Sequence, residues 1–224
     1  LNRIFISYPK SGRTWIRYVL HELGLDNMIS FHHDGFEFND GSRPPHDFSL
    51  EARLGRYAKA DRLVYLERDP RDVMVSLYHQ ITGRFSDFFG YEDGISGFIR
   101  DKYFGAHVLA CFRSMWCEVC DQHGFRKISY EACHEDLGRE IKSLLEYFEL
   151  EVETVRLAEV LQSASFQKMQ EREVSGAFPY PWLQLRNGAP KVRKGEVEGF
   201  RKELCAADID YLNNVFDMNG KTAQ

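Results

Sequence analysis

Eight residues near the start of the chain, Tyr8-Pro9-Lys10-Ser11-Gly12-Arg13-Thr14-Trp15, bring together a lysine, two small hydroxyls and a flat aromatic around one glycine. They follow a short apolar run, Ile4 to Ile6, and precede a helical pattern at Ile16, Val19, Leu20 and Leu23. A strand, a tight turn and a helix N-terminus in that order aim backbone N–H groups and a lysine at one point, where phosphate oxygens can be held. The spacing is not that of the Walker loop, in which two glycines bracket four residues before Lys-Ser/Thr; here Lys10 precedes the glycine. A second anion-binding element lies downstream. Arg62 to Glu67 reads as a buried strand, Arg68 stands at its end, Pro70 breaks it, and an amphipathic helix opening at Asp72 carries Ser76. Arg68 and Ser76 can converge on a single anion.

These residues need a scaffold that delivers them to one place. The pattern predicts strands near 3–8, 28–33, 62–67 and 125–130, and helices near 13–24, 49–59, 72–82, 94–122 in two pieces, 135–148, 153–162 and 206–218. Such alternation implies one α/β domain over 1–224, three-layered, with a central parallel sheet flanked by helices. Ligands then belong at the carboxyl ends of the strands, where Lys10, His33, Arg68 and Tyr130 all fall. Residues 174–199 contain Gly176, Pro179, Pro181, Gly188, Pro190, Gly195 and Gly199 and read as a long loop, expected to be a lid.

The order Pro-Lys-Ser-Gly-x-Thr-Trp resembles the 5′-phosphosulfate loop of sulfotransferases that use 3′-phosphoadenosine-5′-phosphosulfate, PAPS. Four further segments resemble the same family in the same order. Arg68 followed eight positions later by Ser76 matches its 3′-phosphate motif. Ile128-Ser129-Tyr130-Glu131 is similar to a strand ending in a tyrosine that reaches the adenine, and Ser165-Phe166-Gln167-Lys168-Met169 to the segment whose Phe stacks on the adenine opposite the loop Trp, here Trp15. Arg193-Lys194-Gly195 resembles the C-terminal triplet that closes over the 3′-phosphate. The resemblance implies a P-loop NTPase-like architecture, PAPS as donor with adenosine 3′,5′-bisphosphate (PAP) as product, and no metal. It also implies a nucleotide site made of Lys10, Ser11, Gly12, Arg13, Thr14, Trp15, Arg68, Ser76, Tyr130, Phe166, Arg193, Lys194 and Gly195.

Sulfuryl transfer builds charge on the bridging oxygen as its bond to sulfur breaks, and Lys10 is expected to follow that charge. The acceptor must lose a proton, for which a histidine is the usual base. Met28 to Gly35 is a short apolar strand ending in His32 and His33, and it resembles the family's second strand, which delivers a catalytic His. Strand alternation puts the two on opposite sides, and His33, the later residue, is the expected base; His46, in Arg43-Pro44-Pro45-His46, is the rival. Phe36 to Phe38, Phe85 to Tyr91 and Phe178 to Trp182 are aromatic and poor in positive charge, which suits a hydroxylated small-molecule acceptor, aromatic or glycosidic.

The chain departs from the family pattern at three places. Arg13 occupies a position usually held by Thr, Ala164 stands where a hydroxyl often touches the nucleotide, and Glu196-Val197-Glu198 replaces the Gly-Asp-Trp that often follows Arg-Lys-Gly. A dimer motif common in cytosolic members is not visible, so oligomeric state is open. Two readings of other classes stand beside the main one: a kinase with a degenerate P-loop, which lacks a strand-end Asp for Mg²⁺ because Arg68 follows Glu67, and a protein that binds PAP without catalysis.

Bulk properties narrow the partners. A net charge of −5 over 224 residues argues against broad nucleic-acid binding, so any anion site is local. Five cysteines, an odd count, suit a reducing compartment and a cytoplasmic location. Cys117-Glu118-Val119-Cys120 has the spacing of a metal half-site but no second pair, and lies in a helical pattern with Phe112, Met115 and Trp116. No secretory or membrane-spanning run is present, and a chain that enters a strand at once without an initiator Met suggests a trimmed N-terminal segment.

Overall fold

The alternating apolar runs build a parallel sheet in the order β2-β1-β3-β4. The computed structural model of the chain describes residues 1–176 and 183–218, and of Phe166 only the backbone. Its strands are β1 (Arg3–Ser7), β2 (Ser30–His32), β3 (Arg62–Glu67) and β4 (Arg126–Ser129). Ile4 pairs with Leu63, Phe5 with Val64 and Ile6 with Tyr65. Alternation therefore sends Ile4, Ile6, Leu63 and Tyr65 into one core, with Phe112 and Trp116, and Phe5, Val64 and Leu66 into another, with Ile16, Val19 and Leu144. Central strands buried on both faces must be apolar at every position, which is why β1 and β3 read as continuous runs. The edge strand β2 is shorter and more polar, with His32 exposed.

Helices cover both faces: α1 (Arg13–Glu22), α2 (Leu50–Tyr57), α3 (Pro70–His79), α4 (Ser86–Phe89), α5 (Ile95–Phe98), α6 (Ala106–His123), α7 (Tyr130–Glu135), α8 (Leu137–Tyr147), α9 (Thr154–Ser163), α10 (Phe166–Val174) and α11 (Ala206–Val215). The three-layer α/β architecture expected from the sequence is the one observed. Helix boundaries differ where caps decide them. Pro70 does not merely break β3: it is the first residue of α3, whose N-cap Asp69 accepts from the Arg71 N–H at 2.9 Å. Likewise Tyr130 opens α7 rather than ending β4, because Ser129 caps that helix by accepting from Ala132 N–H.

The helix α10 is absent from the sequence-based expectation. It follows a break at Ser163-Ala164-Ser165, is capped by the Ser165 hydroxyl, and is so polar from Gln167 to Glu173 that its periodicity is faint. The expected loop at 174–199 thus begins after this helix; residues 177–182 lie outside the described part. Cys117 and Cys120 sit on α6, and burial pushes the Cys120 thiol up to about 12. No helix among the described residues is long and apolar enough to cross a membrane.

Candidate active site

All four strands end at the same edge of the sheet, and a cavity of about 420 Å³ opens there. Its wall includes Lys10, Gly12, Arg13, Thr14, Trp15, His33, Arg68, Ser76, Tyr130, Arg193, Lys194 and Gly195, so most residues singled out by the sequence meet in one space. Ser11 is buried beneath the loop and is not part of that wall, and the Phe166 side chain lies outside the described residues.

The loop that carries Lys10 is built on unusual backbone. Lys10 adopts φ 73° and Gly12 φ 98°, both left-handed, and the turn closes through Ser11 N–H to Tyr8 O at 3.3 Å. A lysine held there costs conformational energy, as functional turns often do. Gly12 is required on two counts, since a Cβ would also stand 2.3 Å from Tyr130 Cδ2. Gly12→Ala is expected to destabilise the protein by about 2–4 kcal/mol, combining left-handed strain with overpacking. Chemical denaturation checks this; an unchanged midpoint would show that the ring moves aside freely.

Tyr130 joins three segments of the site. Its ring packs on Gly12, the Arg68 guanidinium lies 4.3 Å above its centroid, and its hydroxyl donates to Gly195 O at 2.8 Å. Arg68 in turn donates to Lys10 O at 3.2 Å and Glu196 O at 3.0 Å, and its Nε is buried with no hydrogen-bond partner. Asp72 Oδ2 lies 3.7 Å from Arg68, while its two oxygens accept from Glu198 and Phe200 N–H, both at 2.9 Å. Trp15 shows only 8% of its surface, and its indole N–H donates to Ala164 O at 2.7 Å, which fixes the ring at the cavity wall.

His33 stands one residue beyond β2. Its Nδ1 lies 2.7 Å from Ser7 O, and because a carbonyl only accepts, Nδ1 carries the proton and Nε2 keeps its lone pair. Burial first, then the charge of Arg13, holds this imidazole well below its ordinary range, with the Ser7 hydrogen bond opposing. The next residue, Asp34, is buried in a left-handed conformation and accepts from Arg53 at 2.8 Å, Arg56 at 3.0 Å and Tyr57 at 2.9 Å, anchoring the turn behind His33. His46, the rival, is outside the cavity wall: it stacks on Tyr103 at 4.3 Å and Phe36 at 4.8 Å in an aromatic cluster.

The expectation that the wall is aromatic and poor in positive charge is corrected. Phe36 and Phe89 are core residues, Phe38 and Phe85 are the only aromatics of the two earlier segments, among the described residues, that reach the cavity, and Phe178 to Trp182 lie outside the described residues. Cations line it instead: Arg84, Arg186 and Lys191, which sequence reading missed, join Arg13. Arg84 comes from a π turn, Gln80–Arg84, that continues α3, a geometry without a sequence motif; Lys191 belongs to a basic run, Lys191-Val192-Arg193-Lys194, that could have been noticed whole. The run is held by buried Glu173 of α10, whose carboxylate accepts from Lys191 and Val192 N–H at 2.5 and 2.8 Å. Arg193 and Lys194 both donate to Glu203, at 2.7 and 3.0 Å. Burial opposes, but bonds from His79, Arg193 and Lys194 hold Glu203 down at about 2.

Enclosure has a consequence at Lys10. Burial, followed by the charges of Lys191, Arg84 and Arg68, brings its ammonium down to about 7. A buried positive cluster with unpartnered guanidinium nitrogens on Arg13 and Arg68 is complementary to a multiply charged anion.

The fold and site therefore define a parallel α/β protein with a cationic cavity at the carboxyl edge of its sheet, suited to a multiply charged anion. The sulfotransferase domain profile matches residues 57–223. Relatives include sulfotransferase 1C2 of Rattus norvegicus, 22% identical with 95% of this chain and 81% of the relative covered, and sulfotransferase 2A1 of Homo sapiens, also 22% identical with 95% and 82% covered. Among solved structures, mouse sulfotransferase SULT7A1 complexed with PAP superposes with a TM-score of 0.69 at 15% identity, covering 99% of this chain and 84% of the other. Retinol dehydratase in complex with androsterone and inactive cofactor PAP gives 0.66 at 17%, covering 99% and 81%. The chain belongs to the sulfotransferase family, enzymes that move a sulfuryl group from PAPS to an acceptor.

Proposed function

We propose that the chain transfers the sulfuryl group of PAPS to a hydroxyl of a small molecule, with Lys10 as the charge that stabilises the leaving phosphate and His33 as the general base. The observation that carries the reading is that Lys10 and His33, the latter with Nε2 free to accept a proton, face one cavity among cations. In the reaction the acceptor oxygen forms a bond to sulfur as the bond from sulfur to the bridging phosphate oxygen breaks; that oxygen keeps the electron pair beside Lys10, and the acceptor proton goes to His33 Nε2. Lys10 and the backbone N–H groups of the loop, with the Thr14 hydroxyl, would hold the 5′ end of the nucleotide, Trp15, Tyr130 and Phe166 its adenine, and Arg68, Ser76, Arg193, Lys194 and Gly195 its 3′-phosphate. Arg193 and Lys194 would exchange Glu203 for phosphate oxygens as their segment closes over it. Ser76→Ala is expected to weaken PAP by about 1.5–3 kcal/mol, the scale of a hydrogen bond to a charged group, and to leave a ligand lacking the 3′-phosphate nearly unaffected. Equal losses for both ligands in calorimetry would remove Ser76 from that role.

Positioning and electrostatics supplied by these side chains are sufficient for transfer without a metal bridging the phosphates. Turnover of PAPS with phenolic acceptors is therefore expected to persist in excess EDTA. Strict dependence on added Mg²⁺, or use of ATP in place of PAPS, would favour the kinase reading.

A further inference from the structure

The cations around the cavity divide into those already committed and those left over. Arg68 lies by Asp72, Arg84 by Glu173 at 3.7 Å, Arg186 on Asp87 at 2.7 Å, and Arg193 and Lys194 on Glu203. Among the described residues Lys10, Arg13 and Lys191 have no ion-pair partner within 4.0 Å. Of the three carboxylates on the wall, Asp72 serves backbone N–H groups, Glu196 pairs with Lys202 at 2.8 Å, and exposed Glu37 accepts from His33 N–H at 3.2 Å. Leaving cations enclosed and unpaired is costly unless a ligand brings the opposite charge.

Lys10 finds its partner in the transferred group under the reading above, on which this inference rests. Arg13 and Lys191 remain. Both share the cavity wall with His33, beside which an acceptor must lie to give its proton to Nε2. We propose that the acceptor is anionic: besides its hydroxyl it carries a carboxylate or an equivalent compact oxyanion, which Arg13 and Lys191 bind together. The field at His33 agrees with this placement, since Arg13 and Lys191 each depress the imidazole more than Lys10 does. Arg13, the residue that replaces the threonine expected from the family resemblance, thereby acquires a use that a neutral acceptor would not give it.

Three para-substituted phenols of similar size test the assignment: 4-hydroxyphenylacetate, p-cresol and tyramine, which are anionic, neutral and cationic. With PAPS as donor, kcat/KM is expected to fall in that order, the anion exceeding the neutral phenol by about ten- to a hundredfold, the range of a charge-assisted hydrogen bond. Lys191→Gln, which keeps the backbone N–H on Glu173, is expected to bring that ratio close to one and to change PAP affinity by less than about twofold. p-Cresol or tyramine turned over as well as 4-hydroxyphenylacetate would overturn the proposal. So would a Lys191→Gln enzyme that binds PAP poorly but keeps the acceptor ratio, since Lys191 would then serve the nucleotide. Loss of PAP binding by the unaltered enzyme and of turnover with all three phenols would overturn the underlying sulfotransferase site assignment as well.

Discussion

Lys10→Ala is expected to lower single-turnover sulfuryl transfer about 10²- to 10³-fold, the scale for removing one preorganised stabiliser of transition-state charge. The effect is large because the ammonium is enclosed with Lys191, Arg84 and Arg68, where a charge developing on a ligand oxygen is poorly screened. The backbone of residue 10 should persist, since its carbonyl is held by Arg68. The same enclosure predicts a proton signature. With the ammonium at about 7 in the free protein, Lys10 is largely neutral at pH 8, and an anion bound beside it raises it again, so PAP binding at pH 8 takes up a proton. Calorimetry in buffers of different ionisation enthalpy reads that uptake, and Lys10→Ala should reduce it. A variant with wild-type turnover would remove Lys10 from the mechanism.

His33→Gln is expected to lower turnover by about 10²- to 10⁴-fold, the contribution of a positioned general base, with PAP affinity retained. The amide can still donate to Ser7 O but has no basic nitrogen to receive the acceptor proton. In the unaltered enzyme, burial and the neighbouring Arg13 charge keep the imidazole deprotonated well below its usual titration range. A depressed pKa means that the basic form survives as pH falls, so the acid limb of kcat/KM, which reports the free enzyme, should lie well below the usual imidazole range, while loss of the Lys10 proton sets the alkaline limb near 7. Bound anions offset the surrounding cations, so the corresponding decline in kcat should lie at higher pH than that in kcat/KM. A His33→Gln enzyme with the wild-type rate and pH profile would move the base to His46, despite its place in the stack with Tyr103 and Phe36.

What could be read from the sequence was whatever depends on local order along the chain. Ile4 to Ser7 and Leu63 to Leu66 had to be central strands because each is apolar at nearly every position, and the residues following them had to emerge at one edge of a parallel sheet. Lys10, Trp15, Arg68 and Ser76 were legible for that reason. The rest of the site comes from long-range encounters that leave no periodic trace. Arg84 reaches the cavity because a π turn extends α3, and it is held by carbonyls 100 and 105 residues away. Lys191 is placed by Glu173, a buried carboxylate on a helix whose polar sequence conceals it. Phe36 and Phe89 show the converse limit: an aromatic is recognised as apolar in any sequence, but which side of a loop becomes core is settled only by the neighbours it meets.

The proposed transfer depends most directly on a nucleotide site that discriminates by its 3′-phosphate and needs no metal. Titrating the protein with PAP and with ADP, in the presence and absence of Mg²⁺, tests it in one experiment. PAP is expected to bind tightly, to the same extent with or without Mg²⁺, and far more strongly than ADP, because Arg68, Ser76 and Arg193 would have a phosphate to meet only in PAP. Equal affinity for the two ligands, or a preference for ADP that appears with Mg²⁺, would contradict the assignment of this cavity.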